Sequence, residues 1–174
     1  MEFELDAAIA QLERTPQVFA ALLETLPAAW TTANEGGDSW SPFDVMGHMI
    51  HGEKTDWIRR ARIILEHGPA QPFEPFDRFA QFEASKGKSL ADLLAEFAAL
   101  RRENVTALRA MNLQPADFAR KGVHPALGEV TLGALIATWV VHDMDHLAQV
   151  VRTLARQYTG EVGPWQQYLG ILNE

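Results

Sequence analysis

Cysteine is absent from the 174-residue chain. That single absence removes disulfides, thiolate metal sites and cysteine nucleophiles together, and it fits a cytoplasmic setting. Also lacking is any apolar run of about 18 residues, so neither a transmembrane helix nor a membrane partner is expected. The amino-terminal stretch MEFELDAAIAQLERT carries acids where a secretory leader would carry a basic segment, so no leader is expected. Positive charge is scarce. Fifteen Lys and Arg face 23 Asp and Glu, for a formal net charge of −8. A nucleic-acid surface needs a basic face, so that class of partner is excluded. The nearest basic cluster, KTDWIRRAR at 54–62, is interleaved with apolar residues. It reads as the flank of a helix, with Arg59, Arg60 and Arg62 solvated or salt-bridged.

The chain holds 47% hydrophobic and 22% charged residues, an ordinary globular balance, and its length suits a single domain over 1–174. Hydrophobic spacing predicts four long helices and no strand. The first covers about 4–26, with Thr15 and Pro16 expected to interrupt it. The second starts at WSPFD, where Ser41 caps, Pro42 takes the first helical position and Asp44 sits in the first turn, and it runs to about Glu66. A Pro-rich connection, HGPAQPFEPFDRF, follows. It is long for a bundle loop and is therefore a candidate binding loop or lid. The third helix begins at Ser89, with Asp92 completing a capping box. After an irregular stretch, NLQPADFARKGVHPALGE, the fourth runs from Thr131 to about Tyr158. The tail GPWQQYLGIL is expected to be a short capping helix that packs Trp165, Tyr168 and Leu169 onto the body. Four amphipathic helices of this length make an all-α four-helix bundle.

WVVHDMDHLAQVVR, 139–152, puts His142 and His146 one turn apart on the apolar stripe of the fourth helix. A buried imidazole needs a hydrogen-bond partner or a metal, and an i, i+4 histidine pair is well placed to grip one divalent ion. The third ligand must come from a facing helix. In VMGHMIHGEKTDW, His48 lies on the apolar side, while His51, about 60° around the helix, is more exposed. Glu53 and Asp56 are carboxylates of the same helix suited to outer-shell or acid/base work, with Glu53 the candidate for proton transfer. Asp145 or Gln149 is placed to accept from the second nitrogen of an imidazole. His67 reads as a helix C-terminal residue, and His124 as a loop residue facing the bundle mouth. The competing reading is a pair of ordinary core or surface histidines. Trp40, Trp57 and Trp139 read as packing rather than as a cofactor box.

WSPFDVMGHMIHGE, followed far downstream by HPALGEVTLGALIATWVVHDMDHLAQVVR, resembles the DinB-like proteins, and the resemblance extends over nearly the whole chain. It implies an up-up-down-down four-helix bundle, a three-histidine metal site at His48, His142 and His146, a zinc or nickel ion, and a homodimer. Some relatives are thiol-dependent S-transferases or isomerases, so a low-molecular-weight thiol joins small molecules generally as a candidate substrate.

A three-histidine site leaves a coordination position open, which marks a catalytic rather than a structural zinc site. The first reading is therefore a metal-dependent enzyme, a thiol S-transferase or a hydrolase. The alternative is a non-catalytic bundle that binds a small ligand or partner and keeps a structural or vestigial metal site. No obvious general base accompanies the pair, and this keeps the alternative in play.

Overall fold

Each long helix after the first begins at a side chain that satisfies its free N–H groups. The computed structural model describes residues 3–173. Its helices are α1 (Leu5–Leu23), α2 (Ala28–Thr31), α3 (Pro42–Thr55), α4 (Trp57–Glu66), α5 (Ala80–Ala84), α6 (Leu90–Ala110) and α7 (Leu132–Arg156). At α3, Ser41 Oγ accepts from Asp44 N at 3.2 Å and the Asp44 carboxylate accepts from Ser41 N at 3.0 Å. Ser89 and Asp92 repeat this capping box at α6. Thr131 Oγ1 accepts from Ala134 N at the start of α7. Helices α3 and α4 together form the second long segment, broken at Asp56, where the backbone leaves helical geometry at φ −111 and ψ −83.

The bundle is as expected, but the direction of two of its helices is not. One end gathers the start of α1 (Ile9, Leu12), α4 (Ile58, Ile64), the end of α6 (Val105, Leu108) and the start of α7 (Leu135, Ile136). The other end gathers the close of α1 (Phe19, Leu23), the start of α3 (Val45, Met49), the start of α6 (Leu93, Phe97) and Val150 late in α7. Helices α1 and α7 therefore run one way, and α3–α4 and α6 the other. The order is up-down-down-up rather than up-up-down-down. The reason is that only the 67–89 connection travels the length of the bundle, whereas the other two return at the end where they began.

Three further expectations are corrected. Helix α1 is not interrupted at Thr15–Pro16 but runs through Pro16. Proline cannot donate to the carbonyl four residues back, so Leu12 O is freed, and Arg101 Nη1 supplies the missing donor at 2.9 Å. The irregular stretch before α7 contains a β-hairpin, β1 (Lys121–His124) with β2 (Gly128–Thr131), paired antiparallel from Lys121↔Thr131 to His124↔Gly128. Its three-residue loop leads into Gly128 at φ +73, the left-handed position that such loops require. The tail forms 3₁₀ turns over Gly163–Tyr168 and Gly170–Leu172, and leaves Trp165 and Tyr168 70% and 75% exposed instead of buried.

The crossover is tied down where it passes the hairpin. Phe73 is buried and donates its backbone N–H to Val123 O at 2.9 Å. Gly122 permits this approach, since a Cβ there would lie 2.7 Å from Ile64 Cγ1 and 2.9 Å from Phe73 Cζ. No described helix is long and apolar enough to cross a membrane.

Candidate metal centre

Between the two apolar ends lies a polar layer, and three imidazoles converge in it. His142 and His146, one turn apart on α7, meet His48 from the antiparallel α3. His142 Nε2 stands 3.1 Å from His48 Nε2 and 3.2 Å from His146 Nε2. One ligand atom from each of the three histidines lies within 4.8 Å of the others, a grouping able to hold one ion. Imidazole nitrogens bound at about 2.0–2.1 Å around a tetrahedral ion lie roughly 3.3 Å apart, so the donor set fits such an ion.

Hydrogen bonding alone does not account for the cluster. A single His142 nitrogen, with one proton or one lone pair, cannot make two good hydrogen bonds, and His48 Nδ1 and His142 Nδ1 are buried without a partner. Only His146 has its second nitrogen held, by Gln149 Oε1 at 2.8 Å, which is one of the two acceptors expected from the sequence. Burial pushes the three pKa values down, and for His48 and His142 the neighbouring imidazoles add to it. His48 falls to about 3 and His142 to about 2, and His146 falls as well. All three are therefore neutral at physiological pH, the state in which imidazole donates to a metal.

Aromatic walls surround the cluster. Trp40 packs on His48 at 4.9 Å and lies nearly parallel to His146 at 6.4 Å. Trp57 stacks on Trp139 at 5.8 Å and meets the edge of His142 at 5.1 Å. From the crossover, Phe76 contacts both His48 and His51, so the long connection covers the site as a binding loop would. The three histidines open onto a cavity of about 450 Å³, which Asp56, Arg60, Arg78, His124 and Asp145 also line. His124 thus faces the bundle mouth as expected. Its Nδ1 accepts from the N–H groups of Ala126 and Leu127, which leaves Nε2 as the protonated nitrogen. His51 is half-buried against Phe76, apart from the cluster. Of the two readings of the arginine flank, Arg60 follows the salt-bridged one: it is 8% exposed and paired with Asp56.

Glu53 occupies a different position from the one a proton-transfer role supposes. Its Oε1 accepts from Arg101 Nη2 at 2.8 Å and from Trp139 Nε1 at 3.0 Å, while Oε2 accepts from Asn104 Nδ2 at 3.0 Å. Arg101 also grips Asp143, at 2.5 Å and 2.9 Å, besides the Leu12 carbonyl. Burial works against the Arg101 guanidinium, but Glu53 and Asp143 more than offset it and raise its pKa. This buried cluster joins four helices beneath the histidines, with Asp143 next in sequence to His142. The Glu53 carboxylate is committed to it and supports the centre from below.

The family model of the DinB superfamily matches residues 11–150. A Bacillus mycoides (strain KBAB4) protein named "putative metal-dependent hydrolase" is 24% identical over 147 residues, covering 84% of this chain and 83% of that one. Among solved structures, YfiT from Bacillus subtilis superposes with a TM-score of 0.75 at 23% identity, covering 87% of this chain and 86% of its own. It is described as a probable metal-dependent hydrolase with an unusual four-helix bundle topology. A DinB-like protein from the same organism, YjoA, superposes at 0.55 with 16% identity, over 87% of this chain and 92% of its own.

Proposed function

This chain belongs to the DinB superfamily, and from that premise we propose that it is a metal-dependent hydrolase of a small molecule, with His48, His142 and His146 holding one divalent ion, zinc or nickel. The observation that carries the reading is the convergence of three neutral imidazoles beside an open cavity, with His142 Nε2 3.1 Å from His48 Nε2 and 3.2 Å from His146 Nε2 and all three ligand atoms within 4.8 Å of one another. When bound, such an ion polarises a carbonyl and makes water acidic enough to attack it near neutral pH. The chain's own residues supply the rest. Gln149 holds the His146 ring in one tautomer, and Trp40 and Trp57 pack against the histidine rings and wall the cavity beside them. The Arg78 guanidinium, 5.4 Å from the Trp40 ring centroid, brings positive charge to the cavity.

Elemental analysis of the purified protein is expected to give one divalent ion per chain. A screen of small esters and amides is expected to find hydrolysis that a chelator abolishes and zinc or nickel restores. Hydrolysis indifferent to the chelator would overturn the proposal. The chain has no thiol of its own, so S-transfer would require a low-molecular-weight thiol as second substrate, and the same assay with such a thiol added tests that variant.

A further inference from the structure

We propose that Asp56 is the proton carrier of this centre, taking the proton that the attacking water gives up and delivering it to the leaving atom of the scissile bond. The inference rests on the hydrolase reading and names the acid/base that reading lacks. The site needs a carboxylate that faces the cavity, is shielded from bulk water and is not already saturated by partners. Glu53 and Asp143 fail the last condition, because Arg101 and its neighbours hold both. Asp145 borders the cavity but is solvent-exposed. His124 presents a fixed donor rather than a base.

Asp56 meets all three conditions. It is 8% exposed and lines the cavity with the three histidines. It is also the residue at which the second long helix breaks. Its off-helical backbone separates α3, which brings His48, from α4, which brings Arg60. Arg60 Nε stands 2.6 Å from Asp56 Oδ1, a charge contact whose angle leaves that oxygen without a directed hydrogen bond. Arg60 is anchored in turn over the Phe73 ring, 5.2 Å from its centroid, and by the Glu74 carbonyl. The charged groups around the cavity are thus Arg60 from α4, Arg78 from the crossover and Asp145 from α7. Burial raises the Asp56 pKa to about 6, against the opposing pull of Arg60. A carboxylate so poised is ionised at neutral pH and holds a proton better than an exposed one.

The step balances. Water loses a proton to the Asp56 carboxylate while its oxygen bonds to the carbonyl carbon. The bond from that carbon to the leaving nitrogen or oxygen then breaks with its electron pair on the leaving atom. That atom takes the proton from Asp56, and the carboxylate is restored.

The test uses zinc-loaded protein with 4-nitrophenyl acetate, whose leaving group departs unaided, and 4-nitroacetanilide, whose leaving nitrogen must be protonated. Asp56→Asn is expected to keep its zinc, to lose about a hundredfold or more in kcat/KM on the anilide, to lose much less on the ester, and to lack the acidic limb of the wild-type pH profile. Because Asp56→Asn leaves Arg60 buried without its charged partner, the double variant Asp56→Asn/Arg60→Gln removes the pair together and should show the same leaving-group pattern. Independently of turnover, the infrared carbonyl band of a carboxylic acid should titrate near pH 6 in the metal-free wild type and vanish in Asp56→Asn. Equal losses on ester and anilide, or an unchanged pH profile, overturn the role of Asp56. So does loss of zinc in both variants, which would make the residue a ligand or a structural support. A zinc-loaded wild type silent on both substrates overturns the hydrolase reading itself.

Discussion

Arg101→Met should lower the unfolding free energy by about 3–5 kcal/mol, the usual cost of removing one partner from a buried ion cluster. A domain of this size is typically stable by only about 5–15 kcal/mol, so the loss would be visible as a large fall in the urea midpoint. The side chain is 1% exposed, and Glu53, Asp143 and the Leu12 carbonyl all lean on it. Methionine fills similar volume but takes the guanidinium from both carboxylates and from the Leu12 carbonyl in a low-dielectric interior, leaving Glu53 with only the neutral donors Trp139 and Asn104. Replacing the carboxylates as well, with Glu53→Gln and Asp143→Asn, should recover part of the loss, because the buried like charges disappear with their counterion. A cost below about 1 kcal/mol for Arg101→Met, in the range of a surface pair, would show that the cluster does not hold the helices together.

Protons should compete only weakly with the metal. Two ordinary imidazoles with pKa near 6.5 would weaken metal binding by about a hundredfold on going to pH 5.5, since each becomes mostly protonated. In the folded protein His48 and His142 resist protonation until about pH 3 and 2. The expected change in zinc affinity between pH 7.5 and 5.5 is therefore smaller by most of that factor, as read by competition with a chromophoric chelator. The same shifts weaken the metal-free fold in acid. The unfolded chain's histidines take up protons below about 6.5, and the folded ones refuse them until about 3. This part of the stability is complete above the first value and is lost as pH falls toward the second. His142→Ala should weaken zinc binding by more than the roughly hundredfold that loss of an outer-shell partner costs.

The histidines were legible because their spacing matched the period of the helix that buries them. An i, i+4 pair on an apolar stripe and one histidine on the apolar side of α3 were enough to place all three. The ionic cluster is legible by the same logic. Arg101 interrupts the stripe Leu94, Phe97, Val105, Leu108 of α6, and Asp143 interrupts Ile136, Trp139, His146, Val150 of α7. Charges at core positions demand partners, and opposite charges on two stripes name each other. Glu53 lies one helical turn and a residue beyond His48, but nothing local announces that Arg101 claims its carboxylate. The break at Asp56 carries no glycine or proline signal, so the residue that faces the cavity could not be told from its neighbour. Helix direction escaped because loop length alone does not say which connection crosses the bundle. The hairpin escaped because four-residue strands are too short to show alternation against a helical background.

X-ray absorption on protein loaded with one equivalent of zinc tests the convergence of the three imidazoles most directly. The account predicts a single ion with three imidazole nitrogens at about 2.0–2.1 Å, falling to two in His142→Ala and in His48→Ala. An ion coordinated by oxygen alone, or a nitrogen count that neither substitution changes, would contradict it.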